Sequence, residues 1–126
     1  IRHIATQYKI DESRIYLTGL SMGGWATWDL AMAHPDYFAA IAPVCARVNR
    51  NYPLRANEIR SLPVWVFHGA ADDVVLINQA AKMVLALNEA GNEARFTSNP
   101  LSKDDSWTET YDNPELYDWF LKQKKN

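Results

Sequence analysis

Seven residues, Thr18-Gly19-Leu20-Ser21-Met22-Gly23-Gly24, constrain this chain more than any other stretch. They follow the short apolar run Ile15-Tyr16-Leu17 and open a helical pattern, so the chain must turn sharply from strand to helix with a serine at the apex. In the spacing G-x-S-x-G, Gly19 and Gly23 are expected because a Cβ at either would collide with neighbouring backbone. The turn lifts the Ser21 hydroxyl clear of a sheet. It also aims the Met22 N–H at the place where a carbonyl oxygen would become negative, which is half of an oxyanion hole. Ser21 is therefore the candidate nucleophile.

The rest of the chain reads as the sheet from which that turn rises. Residues 1–10 have the apolar spacing of a helix end, and Asp11-Glu12-Ser13 is a polar turn. A first strand is expected at 14–18 and a helix at 22–33, with Ala26, Leu30 and Ala33 at helical spacing and Pro35 as its stop. The continuously apolar stretches 38–44 and 62–67 read as strands buried on both faces of a parallel sheet. Residues 47–60 are polar between them, with one short helix expected at 55–59. Next comes a helix at 76–90, with Ile77, Ala80, Ala81, Val84, Leu85 and Asn88 on one face and Gly91 as its C-terminal cap. A fourth strand at 94–97 and a loop at 99–110 follow. Asn113-Pro114 then starts a last helix whose inner face is Leu116, Tyr117, Phe120 and Leu121. This order implies an α/β fold, a parallel sheet with helices on both faces.

Chemistry in such sheets gathers at the carboxyl ends of the strands. Ser21 follows the first strand and Asp72 follows the third, so a nucleophile and an acid are expected on one rim, with Asp73 the weaker candidate. A serine attacks poorly until a base, usually a histidine oriented by an acid, takes its proton. Of the three histidines, His68 ends a strand and reads first as part of the turn before Asp72. His34 sits at a helix end, where a cation suits the dipole, and His3 lies near the terminus on the surface. None has the spacing of a metal site, and no cofactor is expected.

Composition narrows the class of partner. A chain of 126 residues, 48% of them hydrophobic, can bury one core. Net charge is −2 and the basic residues are scattered apart from Lys122-Gln123-Lys124-Lys125, so no nucleic-acid footprint is present and a neutral or modestly sized substrate is expected. No apolar run has the length of a membrane span, and no signal pattern is visible, which leaves the compartment open. The single cysteine, Cys45, excludes an intrachain disulfide and reads as a small core residue. Among five tryptophans, Trp107 alone is a candidate for stacking on a substrate. Asp104, Asp105, Glu109 and Asp112 read as a solvated acidic loop, without calcium-ligand spacing.

Residues 10–24, the segment Phe67-His68-Gly69-Ala70-Ala71-Asp72 and the segment Ser106-Trp107-Thr108-Glu109-Thr110-Tyr111 together resemble the C-terminal half of an α/β-hydrolase esterase. The group they resemble is the carboxylesterase, feruloyl esterase and polyhydroxybutyrate depolymerase-like set, related to the prolyl-oligopeptidase and dienelactone hydrolase families. The resemblance implies one partial domain over 1–126 that lacks the N-terminal strands. It also implies an ester substrate, Ser21 as the nucleophile of an acyl-enzyme mechanism, Asp72 as triad acid and Met22 as oxyanion donor.

Two departures qualify it. In these esterases the loop after the last core strand resembles Pro-x-x-Gly-His-Asp-Ser-Trp, and its histidine is the base. Aligned without a gap on Pro100 to Trp107, this chain has Lys103 at the glycine and Asp104 at the histidine. A carboxylate with a pKa of about 4 is a weak base for a hydroxyl and carries no proton for the leaving group at neutral pH. Weak ester hydrolysis or none is expected, with a hydrolase-like binding or scaffold protein as the alternative. The second departure is the absence of the family's earlier strands, which leaves the first strand with an open edge. That edge is expected to be covered by another chain, in a homo-oligomer or with a complementing piece.

Overall fold

A computed structural model describes residues 1–69, 77–99 and 106–125, without the side chains of Asn99, Ser106 and Trp107. Four parallel strands, β1 (Tyr16–Leu20), β2 (Ala40–Val44), β3 (Trp65–Gly69) and β4 (Arg95–Asn99), lie side by side in that order. Tyr16 to Leu20 pair with Ala40 to Val44, and Trp65 to Gly69 pair with Arg95 to Asn99. Parallel neighbours need crossovers. Helix α2 (Met22–Ala33) joins β1 to β2, a 3-10 turn (Pro53–Ile59) lies between β2 and β3, and α3 (Ile77–Glu89) precedes β4. Helix α1 (Arg2–Gln7) precedes β1, and α4 (Ser106–Tyr111) and α5 (Pro114–Lys122) follow β4. The expected α/β architecture is the observed one.

Pro43 sits inside β2 and interrupts its ladder to β3. The Ile41 N–H donates to the Pro63 carbonyl (3.0 Å) and the Cys45 N–H to the Phe67 carbonyl (2.9 Å). The missing N–H of Pro43 falls between them, and only Val44 and Phe67 are in strand register there.

Strand alternation sorts the core onto two faces. Ile41, Val64 and Val66 meet Trp28, Ala31 and Met32 of α2 and Met83, Val84 and Leu87 of α3. On the other face, Ala40, Ala42, Val44, Trp65 and Phe67 meet Leu116 and Phe120 of α5. Burying one such large side chain stabilises by about 1.5–3 kcal/mol, so each helix is held chiefly by two to four residues.

Four expectations about packing are corrected. Helix α2 does not turn Ala26, Leu30 and Ala33 inward; its buried face is Gly24, Thr27, Trp28, Ala31 and Met32. The helix is apolar all round, so periodicity could not select a face, and the close approach at Gly24 does. In α3 the buried residues are Ala80, Met83, Val84 and Leu87, while Ala81, Leu85 and Asn88 are exposed. Two apolar stripes competed there, and the one with the longer side chains, Met83 and Leu87, reaches the core. In α5 only Leu116 and Phe120 are buried. Tyr117 and Leu121 are exposed, because Phe120 stacks on Tyr16 at 4.9 Å and sets the helix rotation. The stretch 99–110 is not all loop: β4 runs to Asn99 and α4 begins at Ser106, with Thr110 buried beneath it.

Candidate functional site

The turn between β1 and α2 is built from backbone. The Ser21 N–H donates to the Val44 carbonyl at the end of β2, and the Ser21 carbonyl accepts the Trp25 N–H as the first bond of α2, both at 2.9 Å. Ser21 itself has φ 54° and ψ −107°, a combination that L-residues rarely adopt and that costs of order 1–3 kcal/mol. Its side chain is exposed. A Cβ at Gly19 would lie 2.2 Å from the Gly23 carbonyl oxygen, so residue 19 must be glycine for the turn to close.

Gly23 is a correction. A Cβ built there meets nothing within 4 Å, whereas at Gly24 it would come within 2.7 Å of the Ala46 Cβ and 2.8 Å of the Val44 carbonyl oxygen. The second obligatory glycine is Gly24. Its visible signal in the sequence is the doubled Gly23-Gly24. Met22 is the first residue of α2, so its N–H is one of those that helix geometry leaves without an intrahelical acceptor.

A second sharp turn lies alongside. Cys45, directly after β2, also has a positive φ of 50°. It breaks the strand alternation: Val44 and Cys45 both join the α5-side cluster, and Ala46 crosses to the α2 side, against Gly24. Cys45 is buried, as expected of a small core residue, but its backbone conformation had no sequence signal.

The histidines are placed as follows. His34 caps the carboxyl end of α2, its N–H donating to the Leu30 carbonyl, at the far end of a 12-residue helix from Ser21. His3 is exposed on α1, its Nε2 3.3 Å from Gln7 Nε2. His68 lies within β3 and is fully buried. Among the described residues, no histidine is both exposed and on the carboxyl rim. Asp72, Asp73 and Asp104 lie outside the described residues. Trp107 belongs to α4, its side chain likewise outside them. No cluster of three metal-ligating side chains occurs among the described residues.

Two hydroxyl contacts support the rim from behind. Thr18 Oγ1 donates to the Ala42 carbonyl (2.6 Å) and lies 2.8 Å from the Tyr111 hydroxyl. Burial, the largest influence, pushes the Tyr111 phenol above its ordinary pKa. The Tyr52 hydroxyl donates to Asp29 Oδ1 of α2; burial and that carboxylate push its pKa up to about 12. A groove of about 800 Å³ opens between Phe38, Ile59, Arg60 and Lys125, at the amino ends of the strands and so away from Ser21.

With that geometry in view, the comparisons are decisive about kinship. A model described as the dienelactone hydrolase family matches residues 1–102. The chain belongs to that family. A thermostable esterase of known crystal structure is 37% identical and superposes with a TM-score of 0.88 over 98% of this chain and 34% of its own. The bifunctional acetylxylan esterase/xylanase XynS20E of Neocallimastix patriciarum is 35% identical over 63% of the chain and 11% of its own length. Poly(3-hydroxyalkanoate) depolymerase C of Paucimonas lemoignei is 41% identical over 35% of the chain and 11% of its own. An acylaminoacyl peptidase of Pyrococcus horikoshii, 16% identical with a TM-score of 0.82, shares the fold. The chain spans a minor part of each of these relatives. No helix among the described residues is long and apolar enough to cross a membrane.

Proposed function

We propose that this dienelactone hydrolase family chain is the nucleophile-bearing part of a carboxylic-ester hydrolase, acting on small-molecule esters through an acyl-enzyme at Ser21. The observation that carries the reading is an exposed Ser21 held at φ 54° on a strand-to-helix turn whose closure requires glycine at 19 and 24. Strain of this kind persists where the surroundings over-determine it, and it presents a hydroxyl to a substrate. In this reading the Met22 N–H receives the oxyanion, Asp72 is the acid and Trp107 is the candidate for stacking on the substrate. Asp104 stands where a histidine base is expected, which makes the chain a poor catalyst and supports a second reading, a hydrolase-like binding or scaffold protein.

Loss of one triad member commonly costs about 10⁴ to 10⁶ in rate and leaves a residue from binding and the oxyanion hole. The test is hydrolysis of a p-nitrophenyl ester by the pure chain against its Ser21→Ala variant. A slow, Ser21-dependent rate that rises in Asp104→His is expected. Labelling of Ser21 by a fluorophosphonate supports the hydrolase. A folded chain with neither labelling nor Ser21-dependent turnover supports the binding protein.

β1 is an edge strand among the described residues, with Met22 and Trp25 exposed beside it. We propose that a second chain covers that edge. Sedimentation of a stable, cooperatively melting monomer would contradict this.

A further inference from the structure

We infer that the groove at the amino ends of β2 and β3 is a binding site for a small organic acid, its carboxylate held by Arg60, Lys124 and Lys125 and its apolar body laid over Phe38, Ile59 and Leu62. The site is independent of the hydrolase reading, because the groove opens at the end of the sheet opposite Ser21. Its volume, about 800 Å³, is that of a small-molecule site. The lining is rich in donors: those three cations, the Asn57 amide and the Ser61 hydroxyl. Of the two carboxylates beside them, Glu58 is engaged at both oxygens by Arg55 Nε (2.7 Å) and Nη2 (3.0 Å), which leaves Asp36 as the opposing charge. Among the described residues, no carboxylate lies within ion-pair distance of Arg60 or Lys124. A bare ion would leave most of the groove empty, whereas a carboxylate matches the planar fork of Arg60 and can carry an apolar body.

Both walls are fixed before a ligand arrives. Arg60 and Ser61 lie on the turn from Ile59 to Leu62, which the buried Asn92 clamps by donating from Nδ2 to the Ile59 carbonyl (3.1 Å) and the Leu62 carbonyl (2.8 Å). The Leu62 N–H closes the same turn onto the Ile59 carbonyl at 3.0 Å. Across the groove, residues 123–125 are tied at three points. The Tyr16 hydroxyl donates to the Gln123 carbonyl (2.8 Å), the Lys125 N–H to the Ser13 carbonyl (2.9 Å) and Lys125 Nζ to the Tyr37 carbonyl (2.9 Å). One of the three ammonium protons of Lys125 is thereby used, and two remain for a ligand. Ordering a long cationic side chain is a large part of the cost of binding an anion, and a lysine already tied to backbone has met much of it. The floor is apolar, since Phe38, Ile59 and Leu62 are core residues that reach the groove.

The experiment titrates the nitrogen-15-labelled chain with phenylpropionate and follows the backbone amide shifts. Expected is saturable binding with a Kd of about 1 mM or tighter, its shifts confined to residues 35–39, 57–62 and 124–125. Arg60→Gln should weaken binding about tenfold and Lys124→Gln about threefold, and the neutral phenylpropionamide should bind about tenfold more weakly than the acid. Both substituted side chains are exposed, so the fold should survive. Should Arg60→Gln not fold, Lys124→Gln decides by the same measure. A titration without saturation, an affinity unchanged in Arg60→Gln or equal binding of the amide overturns the site. Shifts centred on residues 20–25 overturn it too, by placing the acid at the Ser21 turn. Inorganic phosphate bound as tightly as phenylpropionate overturns the assignment of a carboxylate on an apolar body.

Discussion

Two residues on this rim, Ser21 and Cys45, hold positive φ without being glycine, at the ends of neighbouring parallel strands. Ser21 is exposed and gains nothing from packing, whereas Cys45 is 1% exposed and fills the α5-side cluster. Both residues hold a positive φ, and the returns differ. At Cys45 the turn repays its strain by sending two consecutive side chains into two cores. At Ser21 nothing in the packing repays it, and the compensation comes from Gly19 and Gly24, which let β1, α2 and the Cys45 turn close around it. Strain with a packing return is architecture; strain without one points to chemistry.

The largest effect that would sharpen this comparison is at the glycines. Gly19→Ala sets a methyl against backbone at 2.2 Å that cannot move without opening the turn, so a loss of about 3 kcal/mol or more is expected in denaturant melts. Gly23→Ala, with open space and a helical position, should be neutral or stabilising by up to about 1 kcal/mol. Equal losses at the two would show that the turn is not closed by Gly19.

A smaller effect separates the strained residues themselves. Ser21→Gly relieves the backbone and forfeits no burial, so a gain of about 1 kcal/mol in unfolding free energy is expected. Cys45→Gly relieves a positive φ but empties a buried site, so a net loss of about 1 kcal/mol is expected instead. The same sign for both would break the contrast.

The smallest effect concerns what holds the two turns' downstream segments together. Tyr52, seven residues past Cys45, donates to Asp29 on the helix that starts at Ser21. Its pKa is raised from 10.0 to about 12, so the fold retains the proton that the unfolded chain releases. The associated stability is fully present below about pH 10 and is lost as pH rises through 12. Tm should fall over that window, and Tyr52→Phe should flatten that part of the profile.

Much of this molecule was legible beforehand. The helix at Met22–Ala33 matches to the residue, since its start is fixed by the glycine turn and its end by Pro35. The buried strands matched in existence, shifted by one to three residues, because apolar runs include the residues that enter a sheet as well as those that pair in it. Helix rotation was not legible: α2 and α3 carry more apolar positions than they can bury, and the face that wins is the one whose neighbours leave room. α4 is not visible in the sequence for a related reason, since its buried residue Thr110 is polar and its Tyr111 hydroxyl meets Thr18, 93 residues away.

The α/β order and the turn that carries Ser21 follow from the residue order alone, since each is a matter of local chemistry and spacing. Only the approach of distant segments decides that Gly24 rather than Gly23 is the second indispensable glycine, that Cys45 takes a positive φ, and that the Tyr111 hydroxyl meets Thr18. Those depend on how closely distant segments approach, and contact distances between β1, α2, α4 and the end of β2 are not encoded in the periodicity of any one of them.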